Sequence, residues 1–182
     1  MPRLQPISIE SSEGKTRDLL EAAKKKLGKH VNLIATMANA PVVLEAYLGF
    51  SGALGHTRLP AKAREAVAMA IGEKNHCQYC VSAHTMVGQS IGYTQEETVR
   101  IRQGEAADPK VQAVIDLAAA IVDSKGLISE TQFAAAQQAG LSDEEISEVV
   151  GLVALNIFTN YFNHVAETEV DFPKVELFAE AH

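Results

Sequence analysis

Three times in its second half this sequence repeats one local signal: a hydroxyl residue, then an acid or amide three positions on, ahead of an apolar run. Thr94 with Glu97, Ser129 with Gln132 and Ser142 with Glu145 each have this form. In such a capping box the hydroxyl accepts from an orphan N–H at a helix start, and the acid or amide reaches back to the cap residue. Proline and glycine supply the rest of the punctuation, with Pro41, Pro60 and Pro109 suited to first turns and Gly28, Gly55, Gly92, Gly126 and Gly140 to stops. The spacing predicts helices from about Lys15 to Leu27, Val31 to Ala38, Pro41 to Leu54 and Pro60 to Ile71, and a fifth that carries both cysteines to Ser90. A helix opened by Thr94 follows, then one from Asp108-Pro109 to near Gly126, one from Ser129 to Gly140, and a last long one from about Asp143 to Ala166.

No strand pattern competes. Apolar and polar residues do not alternate over useful lengths, and no Asn-Gly or Asp-Gly hairpin signal occurs. The expectation is an all-α chain forming a single compact domain over 1–182. An N-terminal arm, 1–14, is expected to attach loosely, and a C-terminal tail, 168–182, to break at Asp171-Phe172-Pro173.

Composition narrows the function. With 182 residues, 47% hydrophobic and 21% charged, the chain can bury a core without a disulfide staple and is not disordered. Its net charge of −7 argues against nucleic acid, where affinity comes from Lys and Arg neutralising phosphates. The Lys24-Lys25-Lys26 run reads as a solvated face. Glu144, Glu145 and Glu148 read as charges favourable to a helix N-terminus. No apolar stretch approaches the roughly 18 residues of a membrane span, and residues 1–5 lead into no signal-peptide core, so a cytoplasmic address is expected.

The reactive groups concentrate between Glu65 and His84. Cys77 and Cys80 are three apart, within disulfide reach, and His84 lies one turn beyond Cys80 on the same helical face. Backbone N–H groups at a helix start favour thiolate, and an imidazole can take the proton. Glu65, twelve positions before Cys77, returns toward the cysteines if the Gly72 to Asn75 turn folds the two helices against each other. Helix-tip geometry alone favours Cys77 as the ionised sulfur, whereas the imidazole favours Cys80.

The register Glu65, Cys77-x-x-Cys80, x-x-x-His84 resembles the alkylhydroperoxidase D family, within the broader carboxymuconolactone decarboxylase-like superfamily, over about residues 41–123. That resemblance implies a helical fold, a cofactor-free thiol peroxidase reaction on a hydroperoxide substrate, an external dithiol reductant, and a homo-oligomer, trimer or hexamer. It assigns peroxide attack to Cys80, its deprotonation to His84, resolution to Cys77 and the far end of the proton relay to Glu65. One departure stands out. The family places a histidine just before the second cysteine, where this chain has Tyr79, a phenol less able to shuttle protons at neutral pH. His76 is the nearest replacement.

Other readings compete. The cysteines could be inert buried thiols, or Cys77, Cys80, His84 and either Glu65 or His76 could hold zinc in a helical interaction module. Covalent haem attachment is excluded because Val81, not histidine, follows Cys80. A superfamily member acting on a small lactone is the rival enzyme. Asn156, Asn160 and His164, spaced by four on the last helix, form a polar stripe expected to satisfy buried backbone or an interface rather than to catalyse. Asn163 falls off that spacing and receives no role. Tyr79 either shapes access to the sulfurs or packs, and His30, His56 and His182 are expected at the surface.

Overall fold

A computed structural model of the chain describes residues 1–179, and among them the regular structure is helical throughout. His182 lies outside the described residues. The helices are α1 (Gly14–Leu27), α2 (Asn32–Met37), α3 (Pro41–Leu54), α4 (Ala61–Lys74), α5 (Gln78–Ser90), α6 (Gln95–Arg102), α7 (Pro109–Ser124), α8 (Glu130–Gln138) and α9 (Asp143–Ala166). All three capping boxes form, at the starts of α6, α8 and α9. Asp108 caps α7 by accepting from the N–H groups of Lys110 and Val111. α4 runs one turn past Ile71, because Gly72 continues the helix instead of ending it.

Two apolar cores share the molecule. One gathers Val67, Met69 and Ile71 of α4 with Val114 and Ile115 of α7 and Val149, Leu152 and Val153 of α9. The other joins Leu20 of α1, Leu33 and Met37 of α2 and Leu44 of α3 to Cys77, Tyr79 and Cys80. α4 is the hub and packs against α5, α6, α7 and α9. The cysteines thus sit where the second core meets α4 and α9.

The N-terminal arm is not loose. Arg3 N–H donates to Ala166 O at 2.8 Å and Ile7 N–H to Ala35 O at 2.9 Å, while Ile9 and Ser12 are buried. These partners lie far away in sequence, so no local pattern announces them. The tail is likewise a strap across α5. Asp171 accepts from Tyr79 Oη at 2.8 Å and from Asn32 N–H at 2.9 Å, and Val175 N–H donates to Ser82 Oγ at 3.0 Å. Farther on, Phe178 N–H donates to Glu73 Oε1 at 2.6 Å, beside the buried Glu73–Arg102 pair (2.7 Å).

α9 is long and apolar enough to cross a bilayer by length and composition, a property the shorter uncharged run in the sequence does not suggest. Its surroundings explain its apolarity otherwise: Ile146, Val149, Leu152 and Val153 fill the first core, and its first turn carries Asp143, Glu144 and Glu145. Glu148 does more than favour the helix dipole. Its two oxygens accept the N–H groups of Arg58 and Leu59 ahead of α4.

Candidate active site

The site begins with a close helix approach. At Gly72 an added Cβ would stand 3.3 Å from Val81 Cγ2 and 3.5 Å from Cys80 Cβ, so glycine lets α4 and α5 meet closely without Val81 having to give way. The chain then reverses within three residues. His76 takes up a left-handed conformation (φ 54°), and Cys77 N–H donates to Gly72 O at 2.8 Å. Cys77 becomes the N-cap of α5, its Sγ accepting from Cys80 N–H at 3.3 Å.

This reversal brings the predicted residues together as two pairs. Cys77 and Cys80 are joined by a disulfide, with Cα atoms 5.3 Å apart, and both are buried. Glu65 Oε2 and His84 Nδ1 are 2.8 Å apart, so the carboxylate on α4 holds the imidazole on α5. Burial pushes the His84 imidazole down, but the charge and hydrogen bond of Glu65 outweigh it and leave the pKa raised. A raised value makes His84 a stronger proton acceptor toward a thiol one turn away. No hydrogen bond links the imidazole to either sulfur of the disulfide among the described residues.

The two pairs open onto different spaces. Glu65 and His84 line a cavity of about 250 Å³ between α3 and α9, with Tyr47, Arg64, Asn156 and Thr159 on its walls. Cys77 lines a shallower cleft of about 380 Å³ with Gln78, Tyr79, Asn163 and His164. A larger surface cleft, about 620 Å³, lies elsewhere, around Lys62, Tyr93 and Asp108, and contains none of the four residues.

Sequence spacing missed one residue at the sulfurs. Asn163 Nδ2 lies 3.3 Å from Cys80 Sγ and 3.9 Å from Cys77 Sγ, donating to both. Counting by fours from Asn156 and Asn160 leads to His164 and passes over it. Counting by three and seven, equally a helical face, leads to Asn163. The stripe itself is largely structural: Asn156 Nδ2 donates to Leu152 O at 2.8 Å, Asn160 Oδ1 accepts from Asn75 Nδ2 at 2.8 Å, and exposed His164 lies 3.3 Å from His76 O.

Tyr79 is fixed rather than available. Its hydroxyl donates to Asp171 and accepts from Leu33 N–H at 3.1 Å. Burial, more than the neighbouring Asp171 charge, raises its pKa far above the ordinary phenol value. It therefore fastens the strap and cannot replace a proton-shuttling imidazole. His76 is exposed beside Cys77, and His30 and His56 are exposed as expected. For zinc the geometry is poor: no group of three or more His, Cys, Asp or Glu side chains is arranged to hold a metal among the described residues.

Comparison with known proteins agrees with this architecture. Residues 41–120 match the Carboxymuconolactone decarboxylase family. No curated protein matches the sequence. Among solved structures, the alkylhydroperoxidase AhpD core of an uncharacterized peroxidase-related protein from Ralstonia eutropha JMP134 superposes with a TM-score of 0.84 at 19% identity, covering 93% of this chain and 92% of that one. An uncharacterized peroxidase-related protein from Silicibacter sp. TM1040 gives 0.77 at 20% identity, covering 92% and 88%. The debrominase Bmp8, solved as a cysteine-to-alanine variant in complex with 2,3,4-tribromopyrrole, gives 0.78 at 17% identity, covering 92% and 91%. Residues 41–120 are thus similar to the Carboxymuconolactone decarboxylase family, and the chain carrying them has an alkylhydroperoxidase D-like fold.

Proposed function

We propose that this protein is a thiol peroxidase that reduces hydroperoxides through Cys80 and Cys77. The observation that carries the proposal is a disulfide-forming pair at the tip of α5 with the Glu65–His84 hydrogen bond one turn along the same helix. In the reduced protein His84, made more basic by Glu65, takes the Cys80 proton. The thiolate attacks the terminal oxygen of a hydroperoxide. The O–O bond breaks, Cys80 becomes a sulfenic acid, and the alkoxide leaves with the proton His84 returns. Cys77 thiol then displaces the sulfenic oxygen as water and closes the disulfide. An external dithiol reduces that disulfide by exchange, leaving itself oxidised and both cysteines as thiols.

Neither a metal nor an organic cofactor enters these steps. A cytoplasmic setting suits them, because it keeps dithiol reductants available. Nucleic acid is an unsuitable partner for so acidic a chain, and no membrane enters the scheme. A homo-oligomer, trimer or hexamer, remains part of the proposal. It is supported by an exposed apolar row along α9, Val150, Phe158, Tyr161 and Val165, and by exposed Val42 and Phe50 on α3. Peroxide consumption with a dithiol donor tests the reading: Cys80→Ser should fall to background, and full turnover by that variant would refute it.

The family name supports a second reading, in which a small lactone is decarboxylated without the sulfurs. The cavity at Glu65 and His84 also contains Arg64 and excludes both cysteines, so it offers a cation and an acid–base pair on its own. Fold does not choose between the two readings, since a debrominase shares this scaffold. Decarboxylation retained by a Cys77→Ser/Cys80→Ser double variant, with no peroxide turnover by the native chain, selects the second.

A further inference from the structure

The proposed chemistry needs one sulfur to hold negative charge, yet the backbone treats the two cysteines in the opposite sense. Cys77 occupies the N-cap of α5, where helix N–H groups favour thiolate. The side-chain environment reverses that preference. Asn163 is buried on α9, and its Nδ2 stands nearer to Cys80 Sγ, 3.3 Å, than to Cys77 Sγ, 3.9 Å. Its Oδ1 is also buried and has no hydrogen-bond partner among the described residues. An amide so placed can give an N–H to a thiolate and accept from an O–H standing next to it.

We propose that Asn163 is a catalytic residue that makes Cys80 the charge-bearing sulfur in both halves of the cycle. The inference rests on the thiol-peroxidase reading and deepens it. In the oxidative half, Nδ2–H donates to the Cys80 thiolate before attack. After the O–O bond has broken, the otherwise unpaired Oδ1 accepts the hydrogen of Cys80–S–O–H and holds the sulfenic acid beside Cys77. In the reductive half, one sulfur of an external dithiol attacks Cys77, the cysteine that lines the cleft with Gln78 and His164. The Cys77–Cys80 bond breaks, and its electron pair leaves on Cys80, again opposite Nδ2–H. The dithiol's second sulfur then releases Cys77 and closes its own disulfide, while Cys80 regains a proton. One amide thus sets the direction of electron flow through a pair whose backbone is biased the other way.

The test is alkylation of the fully reduced protein by iodoacetamide across pH, with each cysteine followed by peptide mass. In the native chain Cys80 should be labelled at lower pH than Cys77. A hydrogen bond to a charged group contributes enough that Asn163→Ala should slow Cys80 labelling at pH 6 about tenfold or more, by moving its ionisation to higher pH. Asn163→Gln, which keeps the amide donor, should lie between the two. An unchanged Cys80 profile in Asn163→Ala, or a native Cys77 that ionises first, overturns the proposal. If Asn163→Ala does not fold, the native labelling order and the Gln variant decide. Peroxide turnover is read separately: a low-pH Cys80 that depends on Asn163 but consumes no peroxide sinks the peroxidase reading and leaves the role of Asn163 at the thiolate standing.

Discussion

Removing Arg102 should cost this fold far more than an ordinary surface ion pair would. Its Nε lies 2.7 Å from Glu73 Oε2, and both side chains are buried, 5% and 9% exposed. Its Nη2 also donates to Glu176 O at 2.7 Å, and the Phe178 ring lies 4.2 Å from the guanidinium. Arg102→Met therefore leaves the Glu73 carboxylate buried with, among the described residues, the Phe178 N–H as its remaining hydrogen-bond partner. Breaking one side of a buried pair costs about 3–5 kcal/mol, which for a chain of this size corresponds to a melting point lower by about 6–20 °C. Total stabilities are about 5–15 kcal/mol, so the loss is a large share of the whole. Glu73→Leu combined with Arg102→Met should recover most of it, since no charge is then left unpaired. Thermal and urea unfolding of the two single variants and the double variant form a complete cycle. If Arg102→Met loses less than about 1 kcal/mol, the range of an exposed pair, the strap is not held as described.

Glu65→Gln should lower the His84 pKa, because burial then acts on the imidazole without an offsetting carboxylate. A pKa raised on folding contributes stability that is complete below the unfolded imidazole value of about 6.5 and fades as pH rises through the folded one. The gap in urea midpoint between native and Glu65→Gln chains should therefore shrink as pH rises above about 6.5, and a gap that widens contradicts the pairing. Gly72→Ala should destabilise despite a helix-propensity gain of about 1 kcal/mol, because Val81 Cγ2 stands 3.3 Å and Val81 N 3.4 Å from the new Cβ; a higher denaturation midpoint would show slack between α4 and α5. Tyr161→Glu, at a side chain 59% exposed in the apolar row of α9, should reduce the mass measured by light scattering. An unchanged mass would remove that row from any assembly interface.

The fold was legible because its helices announce themselves locally. Thr94, Ser129 and Ser142 each specify a helix start within four residues of chain, and Gly28 specifies an end, closing α1 at φ 76°. The Glu65–His84 pairing was also within reach, since it follows once a short turn reverses the chain after Gly72. What the sequence concealed depends on distance along the chain. Tyr79 meets Asp171 across 92 positions and Glu73 meets Phe178 across 105, and no periodicity encodes such contacts. The N-terminal arm, 1–14, expected to attach loosely, is packed through Ile7 and Ile9 for the same reason. Asn163 was hidden differently: its signal is local, but a helix repeats at 3.6 residues, and a count by fours drifts off the face that meets the cysteines.

The most direct measurement is the mass of the peptide spanning Cys77 and Cys80, from protein first reduced and then given one equivalent of hydroperoxide. Loss of two hydrogens, with that loss absent in Cys80→Ser, is the predicted result. Two free thiols surviving the peroxide, or the same oxidation proceeding in the Cys80→Ser chain, would contradict the account at its centre.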